Sequence, residues 1–131
     1  MPKTRPCPCE SGASFDACCG RFISGGQIPP DAEHLMRSRY SAYALDDRAY
    51  LLASWHPDTR PHSLEPAPGE PRAKWIGLKV LRHCPVGETH AEVEFVARYR
   101  VGGRAFRLHE VSRFDFEKGR WYYRDGTLHS S

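Results

Sequence analysis

Ala91-Glu92-Val93-Glu94-Phe95-Val96-Ala97-Arg98-Tyr99-Arg100-Val101-Gly102-Gly103 is the stretch that decides the fold of this 131-residue chain. Val93, Phe95, Ala97, Tyr99 and Val101 alternate with Glu92, Glu94, Arg98 and Arg100, the period of a strand that buries one face. Gly102-Gly103 is a hairpin signal, because both central residues of a tight two-residue turn take positive φ. The chain therefore returns antiparallel over Ala105–Phe116, and Lys118-Gly119 turns it again into Trp121-Tyr122-Tyr123-Arg124. Upstream, Trp75–Leu81 supplies one more strand, which makes a meander of four.

The period changes on the N-terminal side. Asp31 is an N-cap, and Leu35, Met36, Tyr40, Tyr43 and Ala44 recur at helical spacing, which predicts a helix over Ala32–Leu45. Asp46 or Asp47 caps a second, shorter helix carrying Tyr50, Leu51, Leu52 and Trp55, and it stops at His56-Pro57 because proline disfavours the α conformation of the residue before it. The five prolines from Pro57 to Pro71 mark a loop. Helices followed by an antiparallel sheet define an α+β layer, with the long helix across one sheet face. On that face Glu110 and Ser112 share strand parity with Phe106, Leu108, Phe114 and Phe116. A carboxylate among aromatics needs a partner, and Arg37, Arg39, Tyr40 and His56 are the candidates.

Four of the five cysteines fall within the first nineteen residues, as Cys7, Cys9, Cys18 and Cys19. Two close pairs joined by a turn offer four soft donors to a tetrahedral ion, which reads as a structural zinc site. All four ligands being thiolates leaves no open position for water, so hydrolytic zinc chemistry is not expected there. Disulfide or redox use is the competing reading. The N-terminus Met1-Pro2-Lys3-Thr4-Arg5-Pro6 carries no apolar stretch resembling a signal peptide, which argues for a reducing, cytoplasmic location, and neither pair has the Cys-x-x-Cys spacing of a redox motif. Cys84, beside Pro85, is read as an isolated thiol.

Composition bounds the rest. The chain is long enough for one modest core plus a small appendage, no apolar run reaches membrane-spanning length, and a formal charge of +3 is too small to declare a nucleic-acid binder. Gly25, Gly26, Pro29 and Pro30 lie in a stretch, Arg21–Pro30, that suits a linker. The resulting division is 1–24 for the zinc-binding segment, 25–30 for the linker and 31–128 for the α+β domain.

The N-terminal run resembles the SEC-C motif, a small zinc-binding segment with the pattern Cys-Pro-Cys-Gly-Ser-Gly, an aromatic, then Cys-Cys or Cys-His. Cys7, Pro8, Cys9, Ser11, Gly12, Phe15, Cys18 and Cys19 match in place. Glu10 stands where the motif has glycine, and if that position needs positive φ a glutamate is strained there. Beyond it, Pro30–Tyr43, Tyr50-Leu51-Leu52, Trp55-His56-Pro57, Trp75–Leu78, Val93–Tyr99, His109–Phe114 and Gly119–Gly126 resemble the bacterial YchJ-like family. That resemblance implies a SEC-C segment joined to a cone-shaped domain like nuclear transport factor 2, also called cystatin-like. Some relatives carry a second SEC-C segment after the cone; this sequence runs out at Ser131, so a role needing two knuckles is not expected. The family transfers no firm activity, and SEC-C segments elsewhere are associated with protein docking.

Three functional readings follow. The first is a nonenzymatic zinc-binding adaptor that docks an unidentified protein partner through the knuckle. The second is an enzyme or small-ligand binder using the mouth of the cone, where Arg37, Arg39, Tyr40, Tyr43, Trp55, His56, Glu110, Ser112, Arg113, Tyr123 and Asp125 are candidates. In the catalytic version His56 is a general base oriented by Glu110, with Tyr40 or Tyr43 donating to a developing oxyanion. The third is RNA binding by Arg98, Arg100, Arg104, Arg107 and Arg113 with Tyr99 or His109. Pairing of two copies through the convex sheet face is what relatives of this fold imply for oligomeric state.

Overall fold

The computed structural model describes residues 6–62 and 73–128. Along the chain these form α1 (Gly20–Ile23), α2 (Ala32–Leu45), α3 (Arg48–Ala53), β1 (Lys74–Val86), β2 (His90–Val101), β3 (Arg104–Glu117) and β4 (Arg120–Leu128). The strands form one antiparallel sheet in sequence order. Most of the proline-rich loop expected over 57–71 lies outside the described residues.

Local chemistry sets the element ends. The Asp31 carboxylate accepts from the His34 amide at 2.8 Å and starts α2, supplying one of the acceptors that a helix N-terminus lacks. Asp46 ends α2 in the left-handed conformation, and Asp47 caps α3 by accepting from the Tyr50 amide at 3.1 Å. The two candidate caps therefore have opposite duties. Gly102 and Gly103 both take positive φ, as the β2–β3 turn requires. Three departures from the expected elements stand out. Helix α3 ends at Ala53 with Ser54 as its cap, so Trp55, expected on that helix, lies beyond it and bridges to Tyr123 instead. The Arg21–Pro30 stretch begins as the last turn of α1, and β1 runs five residues past Leu81, through Pro85, a position an edge strand tolerates.

Register slips at Trp75/Gly77 and Val80/Arg82 in β1, and at Arg113/Phe114 between β3 and β4, bend the sheet into a cup. Helix α2 lies in the concavity. Leu35, Met36 and Tyr40 from α2 pack with Leu78, Val93, Phe95, Ala97 and Phe114 from the sheet. Each of the leucine, methionine, valine and phenylalanine side chains among them contributes about 1.5–3 kcal/mol when fully buried. The segment after α3 covers the outer edge of β4: the His56 amide donates to the Tyr123 carbonyl at 2.7 Å and the Tyr123 amide to Ser54 at 2.9 Å.

The cysteine segment is part of this core. Cys7, Cys9, Phe15, Cys18 and Cys19 are all buried and belong to the same packed cluster as Leu35, Met36 and Tyr40. The knuckle thus rests on the cone despite the glycine- and proline-rich connection.

Candidate metal centre and cone cavity

The four sulfurs of Cys7, Cys9, Cys18 and Cys19 lie within 4.8 Å of one another, with Cys9–Cys18 at 3.6 Å and Cys18–Cys19 at 3.9 Å. A tetrahedron built on metal–sulfur bonds of about 2.3 Å has sulfur–sulfur edges of about 3.8 Å, whereas a disulfide needs about 2 Å. None of the four is bridged. The spacing and the soft donor set therefore fit one metal ion. Hydrogen bonding from Cys19 holds the Cys9 thiol well below its ordinary range, against the opposing effect of burial, so the cluster favours a thiolate even before all four are deprotonated by a cation. Hydroxyls support the sulfurs from outside: Ser11 Oγ is 3.1 Å from Cys18 Sγ and Ser41 Oγ, on α2, is 3.4 Å from Cys7 Sγ. Arg37 Nη1 donates to the Cys9 carbonyl at 3.1 Å.

Glu10 does take positive φ, +61°, the conformation the glycine of the motif would adopt freely. Its carboxylate accepts from the Leu78 amide on β1 at 2.5 Å. Glycine would make that turn but not the tether, so the departure from the motif fastens the knuckle to the edge of the sheet.

Between α2 and the concave sheet face lies a cavity of about 230 Å³, walled by Met36, Tyr40, Tyr43, Trp75, Phe95, Ala97, Leu108, Phe114 and Tyr123 and carrying three polar groups, Arg39, Glu110 and Ser112. Tyr40 packs edge-on against Trp75 and Trp75 leans on Tyr99, which fixes the aromatic wall. Burial pushes the Tyr40 phenol up to about 12, and burial together with the Glu110 charge raises Tyr123, so both stay neutral donors.

Arg39 is only 5% exposed. Its Nη1 donates to the Leu51 carbonyl at 2.8 Å and to Ser54 Oγ at 2.7 Å, and the guanidinium is stacked over Trp55 and Tyr123 at 5.0 and 4.5 Å. Among the described residues no carboxylate reaches ion-pair distance of it, and burial lowers its affinity for its proton. Glu110 accepts from the Ser112 hydroxyl. Gly126 opposes Ser112 on β4, and a side chain there would occupy the space of the Glu110 carboxylate.

The strand parity therefore places Glu110 and Ser112 as expected, beside Arg39, Tyr40, Tyr43 and Tyr123. Other candidates go elsewhere. Arg37 turns to Glu33, at 3.1 Å, and to the knuckle. Trp55 stands behind Arg39, outside the cavity wall. Arg113 pairs with Asp125 at 2.6 Å, on the opposite face of the sheet. His56 is not oriented by Glu110: its Nε2 bonds Glu117 and its Nδ1 accepts from the Asp58 amide at 3.0 Å. Arg124 completes that second network, bonded to Asp115, with His56 Nε2 at 3.3 Å. His56, Asp115 and Glu117 come together closely enough to hold a cation, but the Arg124 guanidinium supplies the positive charge there. The dyad expected of His56 and Glu110 fails because His56 follows α3 to the outer edge of β4 while Glu110 faces α2. Of the cavity wall, Met36, Trp75, Phe95, Ala97, Leu108 and Phe114 are not among the mouth candidates; the pairing of Trp75 opposite Tyr99 is what aims it inward.

A cupped antiparallel sheet around a long helix, with a four-cysteine knuckle packed onto that helix, is the architecture of a SEC-C segment joined to an NTF2-like domain. The family described as YchJ, middle NTF2-like domain, matches residues 31–126, and the chain belongs to this YchJ-like family. A UPF0225 protein of Methylibium petroleiphilum is 54% identical over 123 residues, 94% of this chain and 88% of that protein. A UPF0225 protein of Ralstonia nicotianae is 53% identical, covering 95% and 92% of the two chains. The solution structure of a SEC-C motif containing protein from Rhodopseudomonas palustris superposes with a TM-score of 0.83 at 37% identity, over 95% of this chain and 98% of that one. The crystal structure of a SEC-C motif containing protein from Psychrobacter arcticus gives 0.76 at 27% identity, over 98% and 84%. Among the described residues no helix is long and apolar enough to cross a membrane.

Proposed function

We propose that this protein binds a small, largely apolar molecule in the cone, one that presents a hydrogen-bond acceptor to Arg39 and a donor to Glu110, and that a structural zinc ion on Cys7, Cys9, Cys18 and Cys19 holds the knuckle that braces the cup. The observation that carries the reading is the pair of opposite charges lining one aromatic cavity without touching each other. A buried guanidinium and a carboxylate are costly to keep apart from water without full pairing, and sites with an apolar wall and a few convergent polar groups are those that take small ligands. The volume suits a single ring with short substituents, somewhat larger than the roughly 150 Å³ that accommodates benzene. The adaptor reading has less support, since the cysteines and Phe15 are spent on contacts with α2. Among the described residues of the knuckle, those exposed to solvent are Pro6, Glu10, Ser11, Gly12, Asp16, Ala17 and Ser24, with no large apolar anchor among them.

The test is a ligand-observed NMR screen of small aromatic zwitterions, cations, anions and neutral amides against the full chain and against Glu110→Gln, which keeps the shape and removes the charge. Zwitterions or molecules with a donor and an acceptor at opposite ends are expected to bind the native chain and to weaken against Glu110→Gln while its spectrum remains folded. Equal binding to both proteins, or binding confined to anions, overturns the reading. Metal analysis of protein purified without added zinc is expected to find one zinc per chain.

A further inference from the structure

The convex face of the sheet divides into two electrostatically different halves. Toward the β1–β2 turn the strand charges are paired: Arg82 Nε is 3.3 Å from Glu94, Glu94 also bonds His109 at 2.7 Å, and Arg113 bonds Asp125. Toward the β2–β3 turn the pairing reverses. Lys74 sits directly opposite Arg100, and Arg98 directly opposite Arg107. Lys79 is on the same face, opposite Val96. All five cations are exposed, and among the described residues none of them has a carboxylate within ion-pair distance. Like charges placed directly opposite each other destabilise a sheet, so two such pairs side by side call for an anion from outside.

The same half holds an open groove of about 530 Å³ lined by Ile76, Leu81, Val96, Lys79, Arg98 and Arg107, with Glu10, Gly77 and Leu78 at its margin. Ile76 and Leu81 are the residues that the two bulges of β1 push outward, 41% and 45% exposed. Among the described residues the only acid lining the groove, Glu10, has its carboxylate turned to the Leu78 amide. An aliphatic floor with a cationic rim discriminates between possible anions. Single-stranded RNA needs aromatic faces for its bases, and here Tyr99 lies on the other side of the sheet, stacked with Phe106, while His109 and Arg113 are held by carboxylates. A second copy of the chain would bring five more cations against these five.

The structure assigns this half of the convex face as a docking surface for an acidic protein segment with aliphatic anchors, the carboxylates meeting Lys74, Lys79, Arg98, Arg100 and Arg107 and the aliphatic side chains covering Ile76, Leu81 and Val96. This places the protein-docking role on the sheet instead of on the cysteine knuckle, and it is independent of what fills the cone.

The experiment uses the full, metal-loaded chain labelled with nitrogen-15. It is titrated with a short peptide alternating glutamate and leucine and, separately, with an oligouridylate of matched charge. The peptide is expected to shift the amides around Ile76, Leu81, Arg98 and Arg107, with affinity falling as salt rises. Arg98→Glu replaces a repulsive pair by an attractive one, so it is expected to raise the melting temperature and at the same time to weaken the peptide by roughly tenfold or more. A gain in stability with undiminished peptide binding overturns the assignment. So does tighter binding of the oligouridylate, absence of any response to the peptide, or a dimer in sedimentation equilibrium that Arg98→Glu dissociates.

Discussion

Stripping the metal from the knuckle is expected to destabilise the whole protein, not merely to release its first twenty residues. The reason is the shared core: Cys7, Cys9, Phe15, Cys18 and Cys19 pack in one cluster with Ala32, Leu35, Met36 and Tyr40, and Phe22 is buried against His34 of α2, with ring centroids 6.2 Å apart. Without a cation the four thiols lose the link that closes the segment. Phe15 and Phe22, 4% and 5% exposed, then contribute nothing, a loss of about 3–6 kcal/mol at 1.5–3 kcal/mol for each aromatic side chain. Domains of this size are stable by about 5–15 kcal/mol, so the loss removes a large fraction of the total. The melting temperature, followed by tryptophan fluorescence and far-ultraviolet circular dichroism with and without a strong chelator, is expected to fall by on the order of 10–25 °C. Cys18→Ser is expected to behave like the chelated protein. A chelated chain that melts within a degree or two of the native one, with unchanged amide shifts along α2, would refute the reasoning and restore an autonomous knuckle on a flexible tether.

Three further outcomes are expected. Glu10→Ala keeps the strained φ and loses the bond to Leu78, costing about 1–2 kcal/mol in chemical denaturation, while Glu10→Gly relieves about 1 kcal/mol of that strain and comes out milder; equal effects would mean that φ +61° carries no strain. Burial raises the Asp115 pKa, but the Arg124 guanidinium and then His90 outweigh it and hold the carboxyl below its ordinary value. Because the folded value is the lower one, the stabilisation is present above about pH 4 and is lost as pH falls through the folded value. Asp115→Asn should therefore be less stable than the native chain at neutral pH and lose less on acidification, read from melting temperatures across that range. Arg39→Met removes a buried charge with no carboxylate partner among the described residues and is expected to change stability by no more than about 1–2 kcal/mol while abolishing binding of any acceptor-bearing ligand found for Glu110; a severe loss of stability would make Arg39 a purely structural residue.

Local rules accounted for a good deal. The alternation through Val93–Val101, the Gly102-Gly103 turn and the Asp31 cap act over a few residues, and each produced the element it implied, because backbone sterics and one-face burial are decided by neighbours in sequence. Strand parity was enough to put Glu110 and Ser112 beside Leu108 and Phe114. It failed for His56, whose direction depends on α3 ending against β4, sixty-odd residues downstream. It was also blind to Asp115, Glu117 and Arg124, which meet His56 only once the β3–β4 hairpin is closed and bulged.

The amino-acid order by itself singled out the four clustered cysteines, the helix-then-meander architecture and the face on which the Glu110 carboxylate lies, since each of these follows from spacing along one segment. Tertiary structure alone decided that the knuckle is buried against α2, that Glu10 reaches Leu78, that Arg39 shares a cavity with Glu110, and that Arg98 confronts Arg107. Those contacts join residues far apart in the chain, and their distances are set by sheet curvature and register, quantities that no short-range pattern encodes.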